Sequence, residues 1–247
     1  MNATQNLSNC LSYVVSQGRV GDPRPVGSPA YISNPTITLS YQTGIDIQEI
    51  AGQLIHQLEP VGPQGNQPWQ ILDRELVAAA LEQQHWPAQL AGRIEEAKRP
   101  VIEEWLDDVF GFQPPAWLFV PQMTKVIASL AHRGGVILIG HGASVVTAEM
   151  SNVLHVRVTG SPAKRAEYLQ RSRQLPAAEA AHLIRQSDQQ RADFLKAYFK
   201  SRLDNELLYD LTINTDRLAR ASVASLIAES ARRFFRSGEA AHFSATN

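Results

Sequence analysis

Asp188 and Arg191 stand three residues apart, so on a helix they share a face. They lie in a stretch crowded with cations. From Ser161 to Arg202 there are nine Lys or Arg (Lys164, Arg165, Arg171, Arg173, Arg185, Arg191, Lys196, Lys200, Arg202) against four acids (Glu167, Glu179, Asp188, Asp193), a local charge of +5. The whole chain carries −1, so the remainder is −6. Guanidinium groups grip phosphate oxygens in pairs, and Arg165, Arg185 and Arg191 are candidates to clamp a phosphorylated ligand. A basic segment within a near-neutral protein points to a small anion rather than a nucleic acid polymer. The plain alternative is a solvated helix pair in which Asp188 and Arg191 form an i,i+3 ion pair of about 0.2–0.5 kcal/mol.

A second constellation lies between Thr36 and Leu58. Ile37, Leu39 and Tyr41 alternate as in a strand, a turn follows at Gln42-Thr43-Gly44, and Ile47, Ile50, Ala51, Leu54, Ile55 and Leu58 recur at helical spacing. Strand, glycine turn and helix is a phosphate-binding arrangement, because the first helical turn offers unpaired N–H groups to an anion. Gly44, Ile45, Asp46 and Ile47 are the residues that would line it. Asp46-Ile47-Gln48-Glu49 also reads as a capping box, through which the helix would satisfy its own N–H groups. A carboxylate there repels phosphate, and β-branched Ile45 and Ile47 resist the positive φ that a close phosphate approach asks of the backbone.

Two further positions have the right chemistry. Asp73 ends a short apolar run, either as a ligand-face carboxylate or as a helix cap. His141, between Gly140 and Gly142, can offer a ring N–H to an anion and adds charge only when protonated. His132, His155 and His182 lack paired metal-ligand spacing, so no metal site is expected. Gly140-His141-Gly142-Ala143-Ser144 does not match the G-x-S-x-G elbow of a hydrolase.

The elements that must position these residues follow from the pattern. Trp69 to Leu72 predicts a short strand. Arg74 to Gln84 and Pro87 to Phe110 predict helices, the second divided at Pro100. Trp117 to His132 predicts another. Val136-Ile137-Leu138-Ile139 is continuously apolar, as in a parallel strand buried on both faces. A short helix, then a strand over Val153–Val158, come next. Ser161-Pro162 marks a helix start. Helices over Pro162–Arg173 and Pro176–Arg202, a strand over Tyr209–Ile213 and a helix over Leu218–Phe235 complete the series. Strands alternating with helices imply a mostly parallel α/β sheet whose ligands sit at the carboxyl ends of the strands. Residues 1–35 predict an irregular extension and 238–247 a loose tail.

The composition, 44% hydrophobic and 19% charged over 247 residues, is that of an ordinary globular protein. No apolar run approaches the roughly 20 residues of a membrane helix. Neither a signal peptide nor a membrane is expected. The single cysteine, Cys10, excludes a disulfide within the chain and fits a reducing cytoplasm.

From about Thr36 to Ala228 the chain resembles the cytidylate kinase-like family, a branch of the P-loop nucleoside monophosphate kinases. Four blocks carry the resemblance: Ile37-Thr38-Leu39-Ser40 with Gly44 and Glu49-Ile50-Ala51; Leu72-Asp73-Arg74-Glu75-Leu76; Val136 to Ala143; and Asp188-Gln189-Gln190-Arg191-Ala192 with Tyr209 to Thr215. It implies a three-layer P-loop NTPase-like fold over 36–237, with a helical lid over about 161–202. It also implies transfer of the ATP γ-phosphoryl group to CMP or dCMP with magnesium. In that frame Asp73 and Arg191 are the catalytic residues. Gly44, Ile45, Asp46, Ile47, His141, Arg165, Arg185 and Asp188 are the binding residues. The sequence departs from the family pattern at Tyr41, Ile45, Asp46, Ile47, Gln48 and His141, where arginine, small or basic residues are usual. These departures support a second expectation, a catalytically impaired nucleotide-binding or regulatory protein. The oligomeric state is not readable.

Overall fold

The computed structural model describes residues 34–60, 68–73, 116–140 and 142–236. Helices expected over 74–84 and 87–110, the irregular stretch up to residue 33, the tail and His141 lie outside the described residues.

Five strands form one parallel sheet: β1 (Thr36–Tyr41), β2 (Gln70–Leu72), β3 (Val136–Ile139), β4 (Val153–Thr159) and β5 (Leu211–Asn214), in the spatial order β2-β3-β1-β4-β5. The helices are α1 (Ile47–Ile55), α2 (Ala116–Arg133), α3 (Ala143–Val146), α4 (Pro162–Arg173), α5 (Ala177–Phe199) and α6 (Arg220–Arg236). β1 pairs with β3 on one side and β4 on the other. The crossovers therefore diverge at its carboxyl end, which is where open α/β sheets bind ligands.

The period of two along the strands sorts side chains into two cores. Ile37, Leu39, Ile137, Ile139, Leu154 and Val156 face α1 and α6 and meet Ile50, Leu54, Val223 and Ile227. Val136, Leu138 and Val153 face α2 and meet Met123, Ile127 and the α5 residues Phe194 and Leu195. Every residue of β3 is buried, as its unbroken apolar run requires. A small third core, Leu169, Ala180 and Ile184, joins α4 to the first half of α5. α5 thus belongs to the α4–α5 hairpin at one end and to the sheet at the other.

Helix starts follow the sequence closely. Ser161 accepts a hydrogen bond from the Lys164 N–H at 3.4 Å, and Pro162 opens α4. The far ends differ from expectation. α5 stops at Phe199 rather than Arg202, because Lys200 turns left-handed (φ +52°) and its N–H returns to the Leu195 carbonyl. β5 starts at Leu211 rather than Tyr209, because a 3-10 turn over Glu206–Leu208 delivers Tyr209 toward Arg157 instead. α1 ends at Ile55, three residues before Leu58, and α6 begins two residues after Leu218.

Candidate functional site

The carboxyl ends of β1, β2 and β3 frame a cleft of about 330 Å³. Asp73 follows β2, Gly140 follows β3, and Ser40 and Tyr41 end β1. Arg191 from α5 and Arg173, the last residue of α4, bring two guanidinium groups to the same cleft. Gln48, on the first turn of α1, donates its amide N–H to Asp73 Oδ2 at 3.0 Å and so orients that carboxylate. Arg191 stacks on the Tyr41 ring, 4.5 Å from its centroid, and donates to the Tyr41 carbonyl. The cleft therefore presents cations over an aromatic floor with one oriented carboxylate opposite, an arrangement suited to a phosphorylated, hydroxylated ligand.

The Gly44 turn is built differently. Gly44 has φ +89°, and a Cβ there would lie 2.7 Å from the Arg165 carbonyl oxygen and 2.8 Å from Arg165 Cβ. Both the conformation and the contact demand glycine. Arg165 is almost fully buried beneath the turn. Its guanidinium donates to the Gly160 carbonyl (3.0 Å), the Thr43 carbonyl (3.1 Å) and Asp188 Oδ2 (2.8 Å). The Thr43 and Ser187 hydroxyls lie 2.6 Å apart, a second tie between turn and hairpin.

The N-terminus of α1 is equally occupied. The Ile45 N–H bonds Gln42 O (3.2 Å), the Ile47 N–H bonds Ile45 O (2.9 Å) and the Ile50 N–H bonds Asp46 O (3.2 Å). The Glu49 N–H donates to Asp46 Oδ1 at 3.2 Å, the cap that the sequence forecast. Asp46 also faces the Tyr168 hydroxyl and lies 3.6 Å from Arg220 Nε, which sits 3.1 Å from Glu49 Oε2. Burial raises the Tyr168 phenol pKa, and the hydrogen bond to Asp46 raises it further. Arg220 covers the Tyr168 ring at 5.3 Å. These groups surround a hollow of about 190 Å³. An anion already sits at this helix end, and it is Asp46. A triphosphate at this turn would meet the Asp46 carboxylate, which holds the Glu49 N–H and faces Arg220, and the Ile45 and Ile47 N–H groups would have to give up internal bonds. Asp73, by contrast, is the one carboxylate among the described residues that line the cleft.

The expected residues thus divide. Asp73 and Arg191 meet in the cleft. Gly44, Ile45, Asp46 and Arg165 line the hollow on the opposite side of the turn, and Ile47 is buried in the first core. Asp188 pairs with Arg165, not with Arg191 three residues on. Arg185 is exposed on α5 and lines neither space. Arg173, Gln48 and Tyr41 were not anticipated as site residues. The departures from the family pattern at Gln48 and Tyr41 were the available signal; Arg173 had none beyond its charge.

The fold and cleft define a nucleotide kinase-like protein. The cytidylate kinase-like family model matches residues 36–217, and the chain belongs to that family. An uncharacterized protein from Eubacterium ventriosum ATCC 27560 shares the fold, with a TM-score of 0.57 at 14% identity over 81% of this chain and 99% of that one. TT1252 from Thermus thermophilus aligns at a TM-score of 0.43 and 10% identity, covering 81% and 98% of the two chains. Dephospho-CoA kinase from Campylobacter jejuni aligns at 0.33 and 9%, again over 81% and 98%. No curated protein matches the chain.

Proposed function

We propose that this chain is a catalytically impaired member of its family that binds a nucleoside monophosphate, CMP or dCMP, in the cleft and acts as a nucleotide-responsive regulatory module. Arg173 and Arg191 hold the phosphate, Asp73 takes a ligand hydroxyl or a phosphate-borne magnesium ion, and the α4–α5 hairpin is the lid. The observation that carries the reading is Asp46, whose carboxylate fills the anion position at the start of α1. Family phosphoryl transfer works by gripping the donor phosphates and neutralising charge as it develops, and this turn does neither. The setting is the cytoplasm, in keeping with a lone cysteine and with the lack, among the described residues, of any helix long and apolar enough to cross a membrane.

The test is incubation with ATP, magnesium and a panel of nucleoside monophosphates, following ADP release and thermal stability together. The expected outcome is stabilisation by CMP or dCMP with no ADP formed. Robust turnover that Arg191→Ala abolishes would sink the impaired reading. Absence of stabilisation by every monophosphate would sink the binding reading.

A further inference from the structure

On the other side of Arg191 a larger groove of about 680 Å³ runs between the end of β4, the second half of α5 and the loop after it. Tyr41, Arg191 and Leu203 are common to it and to the cleft. Its remaining cations are Arg157, Lys196, Lys200 and Arg202, and its acids are Asp188, Asp193 and Asp204.

Two of the three acids are ion-paired within the protein, and Asp193 meets only a neutral amide. Asp188 accepts from Arg165 at 2.8 Å, Asp193 from the Gln189 amide at 3.0 Å, and Asp204 from Arg202 at 2.9 and 2.7 Å. The cations, Arg202 apart, have no ion-pair partner of their own; Arg157 also acts on Asp204, and the four outnumber the one unpaired acid, Asp193. Arg157 donates to the Leu203 carbonyl and the Tyr209 hydroxyl, Arg191 to the Tyr41 carbonyl, and Lys200 to the Ala197 carbonyl at 3.2 Å. Among the described residues none of Arg157, Arg191, Lys196 and Lys200 has a carboxylate within ion-pair distance. Lys196 and Lys200 complement the carbonyl end of α5, as lysines at a helix C-terminus do. That account does not reach Arg157, which comes from β4, or Arg191, two turns back.

We propose that this groove binds a polyphosphate chain, two or more linked phosphates, at a position separate from the Gly44 turn. Contact with one exposed cation contributes little. A chain of linked phosphates engages several cations in a single binding event, so the contributions combine. The chain is either free or carried on a nucleoside. The proposal stands whether or not the cleft takes a monophosphate.

Calorimetric titration of the full chain with inorganic triphosphate tests it. The wild-type protein is expected to bind one equivalent, with affinity falling steeply as salt rises. Lys196→Glu/Lys200→Glu, at two exposed positions, should weaken binding at least tenfold and leave the CMP response unchanged, while the melting temperature falls only by the lost charge complement at the end of α5. Lys196→Gln/Lys200→Gln repeats the test without a new charge and should lose about threefold or more. Equal affinity for inorganic triphosphate and ATP assigns recognition to phosphates alone, and tighter, variant-sensitive binding of ATP assigns it to a nucleotide; either supports the site. No binding of triphosphate, or binding that both double variants leave unmoved, overturns it.

Discussion

The Gly44 turn and the Asp73–Arg191 cleft both sit at the carboxyl end of the sheet, and β1 contributes to both. They spend their polar groups in opposite ways. In the turn, Arg165 is buried and bonded to two carbonyls and a carboxylate, while Asp46 satisfies the helix that follows. In the cleft, Arg191 rests on an aromatic ring, and Asp73, Arg173 and Arg191 line one space. The charged groups of the turn are bonded away from open space, whereas those of the cleft line it. One frame thus carries two regions that use their polar groups differently.

The comparison can be broken most forcefully at Arg165. Arg165→Ala leaves Asp188 and two carbonyls without their donor and should cost about 3 kcal/mol of unfolding free energy in urea. A cost below about 1 kcal/mol would mean the turn is not held by this group. The two glycines give the next test. Gly44→Ala meets both a positive φ and a backbone contact at 2.7 Å, so about 2–3 kcal/mol is expected. Gly140 has φ +78° with nothing within 4 Å of an added Cβ, so Gly140→Ala should cost only about 1 kcal/mol. Similar losses at the two positions would erase the contrast.

Arg191→Ala should reverse the pattern seen at Arg165: stability within about 1 kcal/mol of wild type, CMP affinity down by about tenfold. Isothermal titration measures the second, and an unchanged affinity would remove Arg191 from the cleft's function. Asp46→Gly is a finer probe. Removing the resident carboxylate should raise ATP affinity only about two- to fivefold, because Ile45 and Ile47 still shape the turn. A gain of two orders of magnitude would show that Asp46 alone excludes the nucleotide.

The smallest expected effect concerns pH. His155, on β4, is buried with its Nδ1 2.9 Å from Thr38 Oγ1 of β1. Burial lowers its pKa; Asp210 and the Thr147 backbone act more weakly in the opposite sense. The folded pKa thus lies below the unfolded value of 6.5, so the neutral ring's contribution is complete above pH 6.5 and is lost as pH falls below it. Unfolding free energy should drop more steeply below pH 6.5 in the wild type than in His155→Gln.

Much of the frame was legible because local chemistry decided it. Val136–Ile139 has only one stable fate, and Ser161-Pro162 states where α4 begins. Asp46 and Glu49, three apart, announced the cap. What could not be read were the jobs of long side chains across great sequence distance. Arg165 looked like a phosphate clamp because its charge was visible and its burial was not. Asp188 and Arg191 looked like a pair because spacing was visible and the approach of Arg165 was not. The end of α5 at Lys200 depended on a left-handed turn in a residue that does not advertise one.

The central position of β1 carries a consequence for how the protein assembles. Thr38 meets His155 across 117 residues of chain, and Arg165 reaches Thr43 across 122. A strand whose two neighbours are made so much later closes long loops before it gains any pairing, which slows folding. The turn after β1 waits longer still, since its underpinning arrives only with α4. The Gly44 turn thus precedes in the chain the elements that give it shape, and its mutations should register in the rate of unfolding rather than of folding.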